Sequence, residues 1–188
     1  IRPTLTNTSS TPPMARHPFY KRLLKEYQQI SLNKLPGIKL VTNDDNLTEF
    51  IFQIKVANNP LYPDDEDYYL SIKITENYPV DSPQVKFVIH EEDNDDDSII
   101  ILDDDSLEII SHSVIPIHPH IYSNGHICLN LLGDDWTPAC SIESILLSIQ
   151  SMLSTNDKRE RPPDDTSYIK HAPTNPKNSK FIYHDDNV

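Results

Sequence analysis

Residues 118–139 read His118-Pro119-His120-Ile121-Tyr122-Ser123-Asn124-Gly125-His126-Ile127-Cys128-Leu129-Asn130-Leu131-Leu132-Gly133-Asp134-Asp135-Trp136-Thr137-Pro138-Ala139. One of the chain's two cysteines stands at the centre, eight residues after a His-Pro-His turn and eight before a Trp-Thr-Pro-Ala loop. A thiol held between two proline-marked loops can serve as a nucleophile, because its thiolate attacks without a metal or cofactor. The competing reading is a small buried hydrophobe beside Ile127 and Leu129.

On the C-terminal side, Ile142, Ile145, Leu146, Ile149, Met152 and Leu153 recur with helical spacing. Ser141 is placed to cap this helix, and Glu143 suits the positive end of its dipole. Its apolar face is wide, which predicts a central helix packed on a sheet. On the N-terminal side three segments alternate with period two: Phe50, Phe52, Ile54 and Val56; Leu70, Ile72 and Ile74; Val85, Phe87 and Ile89. With residues 38–42 they predict a four-stranded antiparallel meander, one face covered and the other partly wet. The links Asn58-Asn59-Pro60 and residues 78–83 carry turn chemistry. Ahead of the sheet, Phe19, Leu23, Tyr27 and Ile30 mark a helix over residues 17–31, with Lys21, Arg22 and Lys25 directed outward. Those basic residues read equally well as an ordinary solvated face. The fold class is α+β: helix, meander, loop, core helix, tail.

A chain of 188 residues with 37% apolar content supports one core and flexible ends. Residues 1–15 form a polar arm, 16–168 the core domain, and 169–188 a tail in which Pro173 and Pro176 disfavour long helices. Residues 158–165, with Pro162-Pro163, read as a charged loop. Two cysteines cannot build a disulfide framework, which points to a reducing compartment, the cytoplasm or nucleus. Residues 1–13 have no apolar core of a signal peptide, and the longest apolar runs, such as 99–102, are far too short to span a membrane. The net charge is −13. Ten carboxylates and no Lys or Arg lie between Glu91 and Glu108, and removing those ten from −13 leaves −3. The acidity therefore belongs to one insertion, residues 91–113, which reads as a solvated loop. No basic, aromatic-interleaved stripe suggests nucleic acid.

Taken together, Tyr78-Pro79…Pro83, His118-Pro119-His120, Tyr122…Gly125-His126-Ile127-Cys128-Leu129, Trp136-Thr137-Pro138-Ala139 and the following helix resemble the ubiquitin-conjugating enzymes. The likeness runs from about Arg16 to Tyr168. It extends to the W subfamily, which attaches ubiquitin to protein N-termini, in His120 after His-Pro, in Arg161-Pro162-Pro163-Asp164, and in Tyr183-His184-Asp185-Asp186. The resemblance implies the ubiquitin-conjugating fold and no cofactor. It also implies that Cys128 takes ubiquitin from an activating enzyme as a thioester, which an acceptor amine then displaces. Most members carry Asn where this chain has His120, a residue credited with ordering the loop or stabilising an oxyanion. Asp165 falls where members have an acidic or polar residue gating the acceptor. Lys21, Arg22, Lys25, Val80, Trp136, Pro138 and Ala139 inherit the surface that meets the activating enzyme and RING or U-box ligases. The implied partners are ubiquitin, those enzymes and protein substrates with flexible N-termini, with neither nucleic acid nor membrane among them.

Amine basicity adds an argument independent of the family. With α-amines titrating near 7.7–8.0 and lysine near 10.4, roughly one α-amine in ten is neutral at pH 7 against a few lysines in ten thousand. A site giving little help with deprotonation should thus prefer N-termini. His120 reads equally well as a loop-ordering residue only. Other readings remain open at this point. His118, His120, His126 and Cys128 have donor types suited to zinc, which would make the loop a binding module. A histidine beside Cys128 would make it a hydrolase. A partner lacking the nucleophile is disfavoured by Cys128 itself. Cys140 is expected to be buried and inert. Phe181 and Tyr183 suggest a tail packed on the core or, alternatively, a cradle for substrate.

Overall fold

The computed structural model describes residues 17–90, 112–179 and 181. The expected N-terminal arm, nearly all of the acidic insertion and Tyr183 lie outside the described residues. The first helix, α1 (Tyr20–Leu32), buries Leu23 completely and packs Tyr27 and Ile30 against the core. Two departures from the apolar pattern matter. Phe19 precedes the first turn and is 43% exposed, whereas Glu26, three residues after Leu23, is buried.

Strands β1 (Ile38–Asn43), β2 (Glu49–Ile54), β3 (Glu66–Lys73) and β4 (Gln84–Val88) pair antiparallel in chain order, as the alternation predicts. A bulge at Val41 interrupts the β1–β2 register. The third strand starts four residues earlier than its sequence pattern suggests. Asp67 through Ile72 are buried on both faces, so the alternation disappears at Tyr68-Tyr69. Tyr68 meets Tyr62 edge-on, and Tyr69 lies against His90.

A short fifth strand, β5 (His112–Ser113), pairs parallel with Glu66 and Asp67, beyond the point where β4 leaves the same edge of β3. The His90 N–H donates to Ser113 Oγ at 2.9 Å. The two ends of the acidic segment are therefore joined, and His112 and Ser113 belong to the sheet rather than to the insertion.

Helix α2 (Ile142–Ser154) lays Ile142, Ile145, Leu146, Ile149 and Leu153 into the core cluster with Phe50, Phe52, Ile54, Leu70 and Ile72. Ser141 caps it as expected, in a reciprocal box: Ser141 Oγ accepts the Ser144 N–H at 3.2 Å, and Ser144 Oγ accepts the Ser141 N–H at 2.7 Å. At the other end Asn59 Nδ2 donates to the carbonyls of Leu153 and Asn156. A helix absent from the sequence reading follows, α3 (Asp165–His171), with Asp165 in its first turn and Lys170 and His171 in its last. The Asp165 and Lys170 charges match the helix dipole. The chain then makes a short 3₁₀ turn at Pro176–Asn178 that packs on β4.

Candidate active site

The loop carrying Cys128 is a small irregular hairpin, and a glycine makes it possible. The Tyr122 N–H donates to the His126 carbonyl and the Gly125 N–H to the Tyr122 carbonyl, each at 2.9 Å. Gly125 has φ +88°, and a Cβ there would lie 2.0 Å from the Phe87 carbonyl oxygen. Only glycine fits that approach. The Phe87 N–H in turn donates to the Gly125 carbonyl at 2.9 Å, which docks the loop onto β4. Across the hairpin the Cys128 N–H donates to the His120 carbonyl at 2.8 Å. His120 thus orders the loop through its backbone.

Cys128 is 8% exposed. Tyr122 and Tyr168 stack beside it with ring centroids 3.8 Å apart, and Phe181 extends the stack at 6.0 and 5.9 Å. Burial first, then the Asp164 carboxylate accepting its hydroxyl at 3.1 Å, hold the Tyr122 phenol well above its usual range; the Cys128 charge adds to this. Burial raises Tyr168 likewise, against the opposing hydrogen bond of Ser179. Both phenols are therefore neutral at ordinary pH, and that of Tyr122 donates to Asp164. Asp165 Oδ1 accepts the Ser123 N–H at 2.7 Å.

The neighbouring histidines are committed. His118 is buried; its Nδ1 accepts the His120 N–H at 2.9 Å, and its ring also bonds the Met152 backbone. Burial, then the proximity of His120, pulls its pKa down to about 4. His126 Nδ1 meets the Tyr168 hydroxyl at 2.7 Å, and burial, then the Lys86 charge, lowers its pKa. This geometry does not favour the zinc reading. Among the described residues no group of three or more His, Cys, Asp or Glu side chains is arranged to hold a metal. The i, i+2 spacing brings His118 and His120 near one another, but His118 is turned toward α2.

A second constellation lies on the side of α1. Glu26 accepts the Tyr78 hydroxyl on both oxygens at 2.8 Å, the Ile142 N–H at 2.9 Å and Arg22 Nε at 2.7 Å. Arg22 goes on to donate to the Pro138 and Cys140 carbonyls at 2.6 and 2.5 Å. Its guanidinium is therefore not directed outward, as the helical pattern suggested, but turned onto the loop before α2. Trp136 Nε1 donates to the Pro79 carbonyl at 2.9 Å. These bonds tie α1, the turn at Val80 and the loop at Pro138-Ala139 into one surface. Lys21, Lys25, Pro138 and Ala139 are exposed on it, and Val80 is 63% exposed. A groove of about 280 Å³ runs from this surface between Val80, Pro83, Leu129 and Trp136 to Lys177 and Phe181. Cys140, expected to be buried, is partly exposed, with Sγ 3.7 Å from Thr137 Oγ1. Its position ahead of the helix cap keeps it out of the core.

The arrangement matches a known family. The family model for ubiquitin-conjugating enzymes matches residues 22–182. The chain belongs to the ubiquitin-conjugating enzyme family. It is 37% identical over 170 residues to a protein of Danio rerio named probable ubiquitin-conjugating enzyme E2 W-A, covering 88% of this chain and 95% of that one. It is 36% identical over 171 residues to ubiquitin-conjugating enzyme E2 W of Caenorhabditis elegans, covering 89% and 96%. Among solved structures, the ubiquitin-conjugating enzyme UbcA1 of Agrocybe aegerita superposes with a TM-score of 0.66 at 35% identity, over 84% of this chain and 96% of that one. The fold is that of the family, and the chemistry of the family is thioester formation and acyl transfer. Its members generally work with ubiquitin, an activating enzyme and ligases.

Sequence reading passed over Glu26 and gave no role of their own to Tyr122, Tyr168, Arg161 and Asp164, which entered only as parts or bounds of the motifs that carry the resemblance. For Glu26 a signal existed: an acid at i+3 from the buried Leu23 and i+4 from Arg22. The partners of the other four are some forty residues distant in sequence, and no local period marks them.

Proposed function

We propose that Cys128 carries ubiquitin as a thioester and that the preferred acceptor is a protein α-amino group. In the first step the Cys128 thiolate attacks the carbonyl of ubiquitin's C-terminal thioester on the activating enzyme, whose cysteine leaves as the thiolate. In the second, the lone pair of a neutral amine attacks the same carbonyl. The C–N bond forms, the C–S bond breaks, Cys128 regains its electron pair, and the amine nitrogen loses one proton. The observation that carries the assignment is the pairing of Cys128 with His120 across a hairpin walled by Tyr122 and Tyr168.

The α-amine preference rests on amine basicity, on His120 standing where most members have Asn, and on the likeness to proteins named E2 W. In this reading His120 orders the loop, and Asp165, at the entrance to α3, borders the path of the acceptor. Lys21, Lys25, Val80, Pro138 and Ala139 meet the activating enzyme and a RING or U-box ligase, while Arg22 and Trp136 shape that surface from beneath. The substrates are proteins with flexible N-termini, and the setting is the reducing cytoplasm or nucleus.

Charged enzyme should discharge at pH 7 onto a flexible peptide with a free N-terminus far faster than onto free lysine. Acetylating that N-terminus should abolish transfer even when the peptide contains lysines. An acetylated, lysine-containing peptide modified as quickly as its unblocked counterpart would sink the proposal. Raising the pH should help lysine more, since its free-base fraction keeps climbing above about pH 8 while that of an α-amine saturates.

A further inference from the structure

The segment Arg161-Pro162-Pro163-Asp164-Asp165 reads in sequence as a charged loop, yet it is bonded to the active-site loop along its length. Arg161 Nη1 donates to the Pro116 carbonyl at 2.6 Å and to that of Ile121 at 3.1 Å, and Nη2 donates to Ile115 at 3.0 Å. Asp164 takes the Tyr122 hydroxyl and Asp165 the Ser123 N–H. Pro162, between them, is buried.

We propose that Arg161 is a positioning residue for acyl transfer, acting on Cys128 through the His120 carbonyl. Ile115 and Pro116 precede the His118-Pro119-His120 turn, and Ile121 follows it. A single planar guanidinium holds carbonyls on both arms, so it fixes the span of the turn as a flexible ammonium would not. The His120 carbonyl is one peptide unit from that of Ile121. It accepts the Cys128 N–H at 2.8 Å, and the Ile121 N–H itself donates to the His118 carbonyl at 3.0 Å. The path from guanidinium to nucleophile is therefore short and entirely backbone.

The charge state fits a geometric role. Arg161 is half-buried on neutral carbonyls; burial lowers its pKa, and the Asp165 charge opposes that. A guanidinium stays protonated all the same. Holding a cation against carbonyls costs desolvation, and what it adds is directional bonding to three fixed acceptors. Arg159, two residues earlier, instead bonds the Leu61 carbonyl and Glu66 at the start of β3.

This inference rests on the assignment of Cys128 as the thioester site, and the test separates the two. Charging by the activating enzyme and single-turnover discharge onto a peptide amine are measured separately for wild type, Arg161→Ala, Arg161→Lys and Cys128→Ala. Given excess activating enzyme, Arg161→Ala should still reach a full thioester end point, but once charged it should discharge about tenfold more slowly at saturating acceptor, since small misplacements of reacting groups weigh heavily on rate. Acceptor KM should stay the same. Arg161→Lys should fall between, and millimolar guanidinium should speed Arg161→Ala without affecting wild type. If Arg161→Ala does not fold, Arg161→Lys carries the same split between charging and discharge. Discharge at the wild-type rate in a charged variant overturns the proposal, as does a parallel loss of charging and discharge that tracks melting temperature. Normal charging of Cys128→Ala would instead overturn the assignment beneath it.

Discussion

Two stretches of irregular chain flank the sheet, and opposite charges hold them. Residues 115–123 bring carbonyls to the cation of Arg161 and N–H and O–H donors to Asp164 and Asp165. On the other flank, the turn at Tyr78 and the start of α2 bring an O–H and an N–H to the anion of Glu26, while Arg22 gathers the carbonyls of Pro138 and Cys140. In the first region the group of interest, Cys128, is 8% exposed; in the second, Val80 is 63% exposed. Chemistry on a thioester needs fixed and partly dry geometry, whereas recognition needs side chains that reach solvent. In the proposed reading the same device, a charged side chain bonded to irregular backbone, serves both ends.

The comparison breaks most visibly at Glu26. Replacing it with alanine strands the Tyr78 hydroxyl and the Ile142 N–H together and takes the counter-charge from Arg22, which keeps the Pro138 and Cys140 carbonyls. We expect a loss of about 3 kcal/mol in chemical denaturation, in the range for removing one partner of a buried charged network. Charged enzyme that remains folded should still discharge onto a small amine, since the Cys128 hairpin does not touch Glu26. Stability within error of wild type would show that the network is not what joins α1 to α2.

A smaller effect distinguishes the Cys128 flank by pH. His118 has its folded pKa lowered to about 4. A histidine buried neutral contributes stability that is complete above its unfolded pKa, near 6.5, and is lost as pH falls toward the folded value. By pH 5 that loss should approach about 2 kcal/mol. His118→Gln should flatten the slope of stability against pH between about 6.5 and 4, whatever it does to stability at neutral pH. An unchanged slope would mean that another group dominates this window.

The smallest effect is expected at the exposed tips. Val80→Ala should alter stability by no more than about 0.5 kcal/mol, as for surface substitutions generally, while weakening association with a ligase domain. If it instead lowers stability strongly and leaves association untouched, the α1 flank is a structural face only.

The sheet and α2 were legible because burial on one face writes a period into the sequence: Phe50-Phe52-Ile54 and Ile142-Ile145-Leu146-Ile149 each occupy a single side. Where burial is two-sided, at Tyr68-Tyr69, the period vanishes, and the first half of β3 was missed. The Cys128 hairpin and its two flanking loops were legible through their prolines and through one of the chain's two cysteines. The supports were not. Arg22 followed the polar side of a helical pattern, yet its guanidinium reaches carbonyls 116 and 118 residues away. Arg161 and Asp164 lie in a charged, proline-broken run, where nothing local distinguishes a solvated side chain from one bonded across the fold. Cys140 shows the converse: a residue next to an apolar helix was expected to share its burial, but the capping turn at Ser141 leaves it partly exposed.

The most direct test of the account is charging by ubiquitin and an activating enzyme, followed on non-reducing gels. Wild type and Cys140→Ala should form an adduct cleaved by thiol, while Cys128→Ala should form none and Cys128→Ser at most a thiol-resistant oxyester. Normal charging of Cys128→Ala, with loss in Cys140→Ala, would contradict it.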